Sequence, residues 1–170
     1  MKTNKLIITS LLLAIGLILH QITPGIIFGM KPDLLLLFMI LSITLTKNFK
    51  IAIITGIVAG ILGALTTVFP AGQLPNIIDK IITSIIVYGL YKSINSNSPL
   101  KLAGIYLLGT IISGSIFLGS ALILVDLPSP FLTLFVSIVL PTSLLNSFIG
   151  FFLHKLIMTN PALKNKFINY

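Results

Sequence analysis

The stretch 69-FPAGQLPNIIDK-80 decides how this chain is read. It sets two prolines, a glycine, Gln73, Asn76, Asp79 and Lys80 between two long apolar runs. The chain holds only three acidic residues, Asp33, Asp79 and Asp126, so a polar cluster of this density needs a physical cause. Pro75 suits the first turn of a helix, where its missing N–H would have no partner anyway. The segment therefore reads as a tight turn that opens a helix.

The surrounding composition says what that helix sits in. Of 170 residues, 56% are hydrophobic and 8% are charged. Soluble domains carry about 25% charged residues, so this chain cannot cover itself with polar groups. Part of its solvent is lipid. The apolar runs lack the strict alternation of a barrel strand, and helices satisfy every backbone polar group inside lipid. The fold class is an all-α polytopic membrane protein. Six spans are expected, at 6–21, 32–46, 51–69, 75–91, 102–125 and 131–153, in one integral membrane domain over 1–170. The second and fourth are shorter than the roughly 20 residues that a span usually needs.

The first span follows Lys2 and Lys5, as a signal peptide would, but no small-residue cleavage pattern follows it. It is taken as the first membrane helix. All eleven basic residues are lysines. Six spans put both termini on one side, and every lysine except Lys31 and Lys80 falls on that side. By the positive-inside rule that side, with both termini, is cytoplasmic. The net charge of +8 is thus a topology signal. The lysines form no basic stripe with interleaved aromatics, so nucleic acid is not an expected partner.

The opposite side then holds all three aspartates, Lys31, Lys80 and the loops TPGIIFGMKPD and FPAGQLPNIIDK. Both short spans open on proline with lysine and aspartate nearby, a pattern that points to a transporter binding site. One account of Lys31, Asp33, Asp79 and Lys80 is helix-start chemistry, with Asn76 and Asp79 forming a variant capping box. The other is an outer pocket for a small zwitterion, with lysine facing its carboxylate and aspartate its ammonium. All four are expected near the interface, where charge is cheaper than the roughly 2.5–3.5 kcal/mol of the bilayer centre. Thr66, Thr67, Phe69 and Gln73 end the third span. They form either an interfacial helix end or a wall for a planar ring, with Gln73 or Asn76 accepting a ring N–H.

Other patterns are less specific. Gly56, Gly60 and Gly63 allow close helix packing, as do Gly109, Gly114 and Gly119. Ser10 and Ala14 give the first span a small face, expected to pack internally. Pro141 is expected to kink the sixth span, and Asn146 to bond a neighbouring helix. His20 is expected to end the first span as a satisfied interfacial group. His20 and His154 fall at opposite faces, and no acid is expected deep in a span, so a carboxylate proton relay lacks support. With no cysteine and no catalytic motif, no enzyme activity, metal site or cofactor is expected.

At GMKPD (29–33) and FPAGQLPNIIDK (69–80) the chain resembles the bacterial tryptophan transporter family, most clearly from the N-terminus to about Tyr91. Those proteins resemble the substrate-binding S components of energy-coupling factor (ECF) transporters. The resemblance implies an S-component-like bundle in the bacterial cell membrane that takes up tryptophan. It implies that Lys31, Asp33, Gln73, Asn76, Asp79 and Lys80 carry family character. It also implies docking of an ECF-type transmembrane subunit and its ATPases through the first helix, where Ser10 and Ala14 stand at the spacing used for small contact residues. The alternatives are an S component for another small ligand, such as a vitamin, and a cell-shape scaffold with no outer pocket.

The orientation is testable because the chain lacks cysteine. A membrane-impermeant maleimide added to intact cells should label Gln73→Cys and leave Lys50→Cys unlabelled until the membrane is permeabilised.

Overall fold

A computed structural model of the chain describes residues 2–24, 33–94, 98–125, 127–161 and 163. Among these, six helices form the bundle: α1 (Lys2–Ile22), α2 (Leu34–Thr46), α3 (Phe49–Thr66), α4 (Gln73–Ile94), α5 (Pro99–Leu124) and α6 (Phe131–Thr159). The expected spans match them to within a few residues. Lys31, Pro32 and Asp126 lie outside the described residues.

Two helices depart from the usual pattern of a lipid-facing span, each for a visible reason. α2 has 13 residues, and every residue from Leu35 to Thr46 is buried. At 1.5 Å per residue it is only about 20 Å long. It can be short because α1, α3, α4, α5 and α6 surround it and it meets no lipid. Its sequence is apolar all round, as a central helix requires. α4 has 22 residues but is too polar to count among the four helices able to cross a membrane by length and composition. It buries Asn76, Asp79, Lys80, Thr83 and Ser84, while Ile78, Ile82 and Ile85 face outward. α4 is amphipathic with its polar stripe turned inward.

The α3–α4 seam makes that inversion possible. A Cβ added at Gly56 would lie 2.2 Å from Ser84 Oγ and 2.8 Å from the Lys80 carbonyl. One at Gly60 would lie 3.1 Å from Ile77 Cα, and one at Gly63 3.1 Å from Asn76 Oδ1. The glycine spacing read from the sequence is therefore the track on which α4 rests. A tight turn joins the two helices. In it the Gly72 N–H donates to the Phe69 carbonyl at 3.0 Å, and Ala71 takes a left-handed φ of 51°.

Three local expectations need correction. α4 begins at Gln73, so Asn76 lies inside the helix and donates its Nδ2–H to the Gly72 carbonyl at 2.9 Å. No Asn76–Asp79 capping box forms. Ser10 and Ala14 do not pack internally but are exposed, while Ile8, Thr9, Leu12, Leu13 and Gly16 face the bundle. Gly119 meets nothing within 4 Å, unlike Gly114, whose Cβ would lie 2.5 Å from Val139.

In α6 the chain accommodates Pro141 through a π-helical turn at Phe135–Val139, where the Leu140 N–H donates to the Phe135 carbonyl. Asn146 does bond a neighbouring helix, donating to Thr110 Oγ1 on α5 at 3.1 Å. The end of the bundle that carries most lysines is held by neutral contacts. Thr9 and Ser42 share a hydrogen bond at 2.8 Å, and His154 meets Thr44 at 3.2 Å and Tyr106 at 3.3 Å.

Gly56→Leu should destabilise the protein by about 1–3 kcal/mol, the usual range for overpacking. Gly89→Leu, at a position with open space beside it, should not. Thermal unfolding in detergent compares the two.

Candidate functional site

The site is built on the helix ends opposite the lysine-rich links. Asp33 is the N-cap of α2, and its Oδ1 accepts the Leu36 N–H at 2.9 Å. Its Oδ2 lies 2.6 Å from Lys80 Nζ. The same ammonium contacts Asp79 Oδ2. One lysine on α4 thus bridges a carboxylate from α2 and one from its own helix.

Asp79 is held on every side. Its Oδ1 accepts the Thr83 hydroxyl at 2.9 Å, and its Oδ2 accepts the Ser113 hydroxyl of α5 at 2.9 Å. Asp79 is 0% and Lys80 2% exposed. Both lie about 9 Å along α4 from its start, at 1.5 Å per residue. Both are buried within the bundle rather than solvated at its end. A buried charge is tolerable when it is paired and its remaining hydrogen-bonding capacity is met. Here the partners come from α2 and α5, which the sequence of α4 alone does not reveal. His20, in the last turn of α1, brings its Nδ1 to 3.9 Å from Asp33 Oδ1.

Beside this cluster lies a cavity of about 110 Å³. A water needs roughly 10–15 Å³ on this scale, so the space suits a small organic solute rather than a single water. One wall is ionic: His20, Asp33, Asp79 and Lys80. Much of the remaining lining is apolar, with Phe69, Phe117, Leu134, Ile138 and Val139. Phe69 and Phe117 meet edge to face, with ring centroids 5.3 Å apart at 82°. Thr110 and Thr142 also line it.

Of the residues singled out from sequence for the pocket, Asp33, Thr67, Phe69, Asn76, Asp79 and Lys80 line this cavity. Thr66 and Gln73 do not. Thr66 donates back to the Leu62 carbonyl at 2.8 Å, and Gln73 is exposed at the start of α4. Lys31 is outside the described residues, as is most of the loop at 22–33. Sequence reading missed Ser113, Phe117, Thr110 and the approach of His20 to Asp33. A signal existed for three of these: Thr110, Ser113 and Phe117 recur at i, i+3 and i+7, one helix face. Among the described residues, no three His, Cys, Asp or Glu side chains are grouped as a metal would need.

A bundle of apolar helices whose one end holds a cavity lined by both ionic and aromatic side chains defines a class: a polytopic all-α membrane protein. Comparison with known proteins narrows it. The family model described as "Tryptophan transporter TrpP" matches residues 2–161, well past Tyr91. The chain is 49% identical over 152 residues to a probable tryptophan transport protein of Clostridium acetobutylicum, covering 88% of this chain and 89% of that one. It is 41% identical over 160 residues to a probable tryptophan transport protein of Bacillus subtilis, with 94% and 93% covered. A further relative of the same description, from Clostridium perfringens, is 42% identical over 167 residues, with 92% of each chain covered. The chain belongs to the TrpP tryptophan transporter family. No solved structure matches it.

Removing the lysine should be worse than removing part of what it neutralises. Lys80→Met leaves two facing carboxylates and should cost about 3–5 kcal/mol, the range for breaking a buried pair. Lys80→Met with Asp79→Asn should recover much of that loss. Thermal unfolding of the single and double variants checks the order.

Proposed function

We propose that this chain takes up tryptophan across the bacterial cell membrane, as a single membrane domain over 1–170. One observation carries the reading: a single cavity is lined both by the Asp33–Lys80–Asp79 cluster, in which Asp79 and Lys80 are buried, and by the Phe69–Phe117 aromatic pair. Tryptophan has the matching halves, a zwitterionic head and a large planar ring. An aromatic pair in this geometry contributes about 0.5–1.5 kcal/mol beyond the area it buries. The family and the descriptions of its relatives agree with the same solute. The distribution of lysines supports a cavity that opens away from the cytoplasm, with both termini inside.

In this reading Asp33, Asp79 and Lys80 hold the charged head, Phe69 and Phe117 the ring, and Asn76 the rim between them. Lys31, expected from sequence to face the ligand carboxylate, lies outside the described residues. Thr66 and Gln73 are left as helix-end residues. A partner subunit is part of the proposal. Ser10 and Ala14, exposed on α1 beside Ile7, Leu11 and Ile18, form a face that an ECF-type transmembrane subunit with its ATPases could cover.

The test is ligand-induced thermal stabilisation of the purified protein over a panel of amino acids and vitamins. Tryptophan at 100 times its dissociation constant should add about 2.7 kcal/mol. Phe117→Ala should reduce that shift, while Leu122→Ala, 53% exposed and away from the cavity, should not. A larger shift with a vitamin would reassign the ligand.

A further inference from the structure

Two hydroxyls in the cavity have not spent their protons. Other buried threonines have. Thr44, Thr46 and Thr55 donate to carbonyls of their own helices, Thr9 shares a bond with Ser42, and Thr83 donates to Asp79. Thr110 and Thr142 are also buried, and both line the cavity, yet neither hydroxyl donates to any described residue. Thr67, a further threonine of the lining, is only half-buried.

Thr110 is under a second constraint. Its Oγ1 accepts the Asn146 Nδ2–H at 3.1 Å, so its own proton points elsewhere. A helical threonine often sends that proton to the carbonyl four residues back, here Tyr106, and Thr110 does not. Asn146 is 0% exposed, and its Oδ1 has no partner among the described residues. A buried amide that gives one bond and leaves its acceptor unmet is costly, so the arrangement needs a cause. An anion in the cavity supplies one. A hydroxyl that donates to an anion becomes a better acceptor, which strengthens the bond from Asn146.

The ionic cluster decides which end of a zwitterion turns to it. Lys80 is shared by Asp33 and Asp79, and the three together carry one net negative charge, which attracts an ammonium. Ser113, which donates to Asp79, and Thr110 are three residues apart on α5, at about 5–6 Å between Cβ atoms. An α-amino acid carries its ammonium and carboxylate on one carbon and can span a gap of that order. Thr142 is four residues before Asn146 on α6, on the face that meets Thr110.

We propose that Thr110 and Thr142 form a neutral carboxylate subsite, each donating its hydroxyl proton to the acid group of the bound amino acid. Asn146 is a positioning residue that keeps the Thr110 proton turned to the cavity. The ligand's ammonium goes to Asp33 and Asp79. This inference rests on the cavity being a tryptophan site, and adds which residues read the acid group.

Calorimetry on the purified full chain tests it with tryptophan and with tryptamine, which keeps the ring and the ammonium but has no carboxylate. The unaltered chain should prefer tryptophan by about 10- to 100-fold, the range for a hydrogen bond to a charged group. Thr110→Val and Thr142→Val keep the shape and lose the hydroxyl, and each should shrink that preference about tenfold. Thr110→Ser should retain it. Asn146→Leu should shrink it as well, by freeing the Thr110 proton for the Tyr106 carbonyl. A merely structural role would weaken both ligands alike and leave their ratio unchanged. Thr142→Val, whose hydroxyl bonds no described residue, decides the matter if the other variants do not fold. An unchanged ratio in both valine variants overturns the subsite, as does a preference that only Lys31→Met abolishes. Equal binding of tryptophan and tryptamine by the unaltered chain also overturns it and leaves the tryptophan site standing. Failure of the folded protein to bind millimolar tryptophan removes the tryptophan site and this proposal with it.

Discussion

Lys80 lies between Asp33 and Asp79, and much of the bundle can be understood as the means of keeping it there. A buried ammonium shared by two carboxylates tolerates no loose geometry, because any oxygen left unpaired in a low-dielectric interior is costly. Four helices meet the requirement. α4 supplies Lys80, Asp79 and Thr83. α2 supplies Asp33 at its capping position, oriented by the Leu36 N–H. α5 supplies the Ser113 hydroxyl. α3 supplies no polar group to the cluster; its glycines let the Lys80 backbone approach closely enough for the side chain to reach the centre.

The two ends of the bundle are built differently. At the lysine-rich end, neutral hydrogen bonds tie α1 to α2 through Thr9 and Ser42, and α2 and α5 to α6 through Thr44, Tyr106 and His154. Lys5 adds a bond to the Thr46 carbonyl at 2.8 Å. Gly150 lets α6 close on the Tyr106 ring, with a would-be Cβ only 2.4 Å away. At the other end the space is not filled. The charged residues and the Phe69–Phe117 pair line one cavity there. A closed neutral end and a hollow charged end give the molecule a direction.

The π-helical turn in α6 belongs to the hollow end. It spans Phe135–Val139, and two of its residues, Ile138 and Val139, line the cavity. Pro141 has no N–H to continue the regular ladder, and the wider turn absorbs that gap. Gly114 on α5 accepts Val139 in close contact. A backbone irregularity forced by one proline thus shapes the apolar wall.

Much of the architecture was legible in the chain itself. The scarcity of charge requires lipid as a solvent, apolar runs of span length require helices, and their number puts the termini together. Gly56, Gly60 and Gly63 announce a close helix pair through their spacing alone. The cluster FPAGQLPNIIDK marks the site, because polar residues that dense in an apolar chain need partners. Sequence could not say who those partners are. Lys80 and Asp79 are adjacent along the chain, yet their charges are met by Asp33, two helices earlier in the chain, and by Ser113 on the helix that follows. Thr66 and Gln73 looked equivalent to Phe69 and Asn76 on composition, yet Thr66 bonds back to the Leu62 carbonyl of its own helix and Gln73 is exposed where α4 begins. Periodicity fixes which residues share a face; only packing chooses which face meets a hollow, because that choice belongs to the neighbouring helices as much as to the residue.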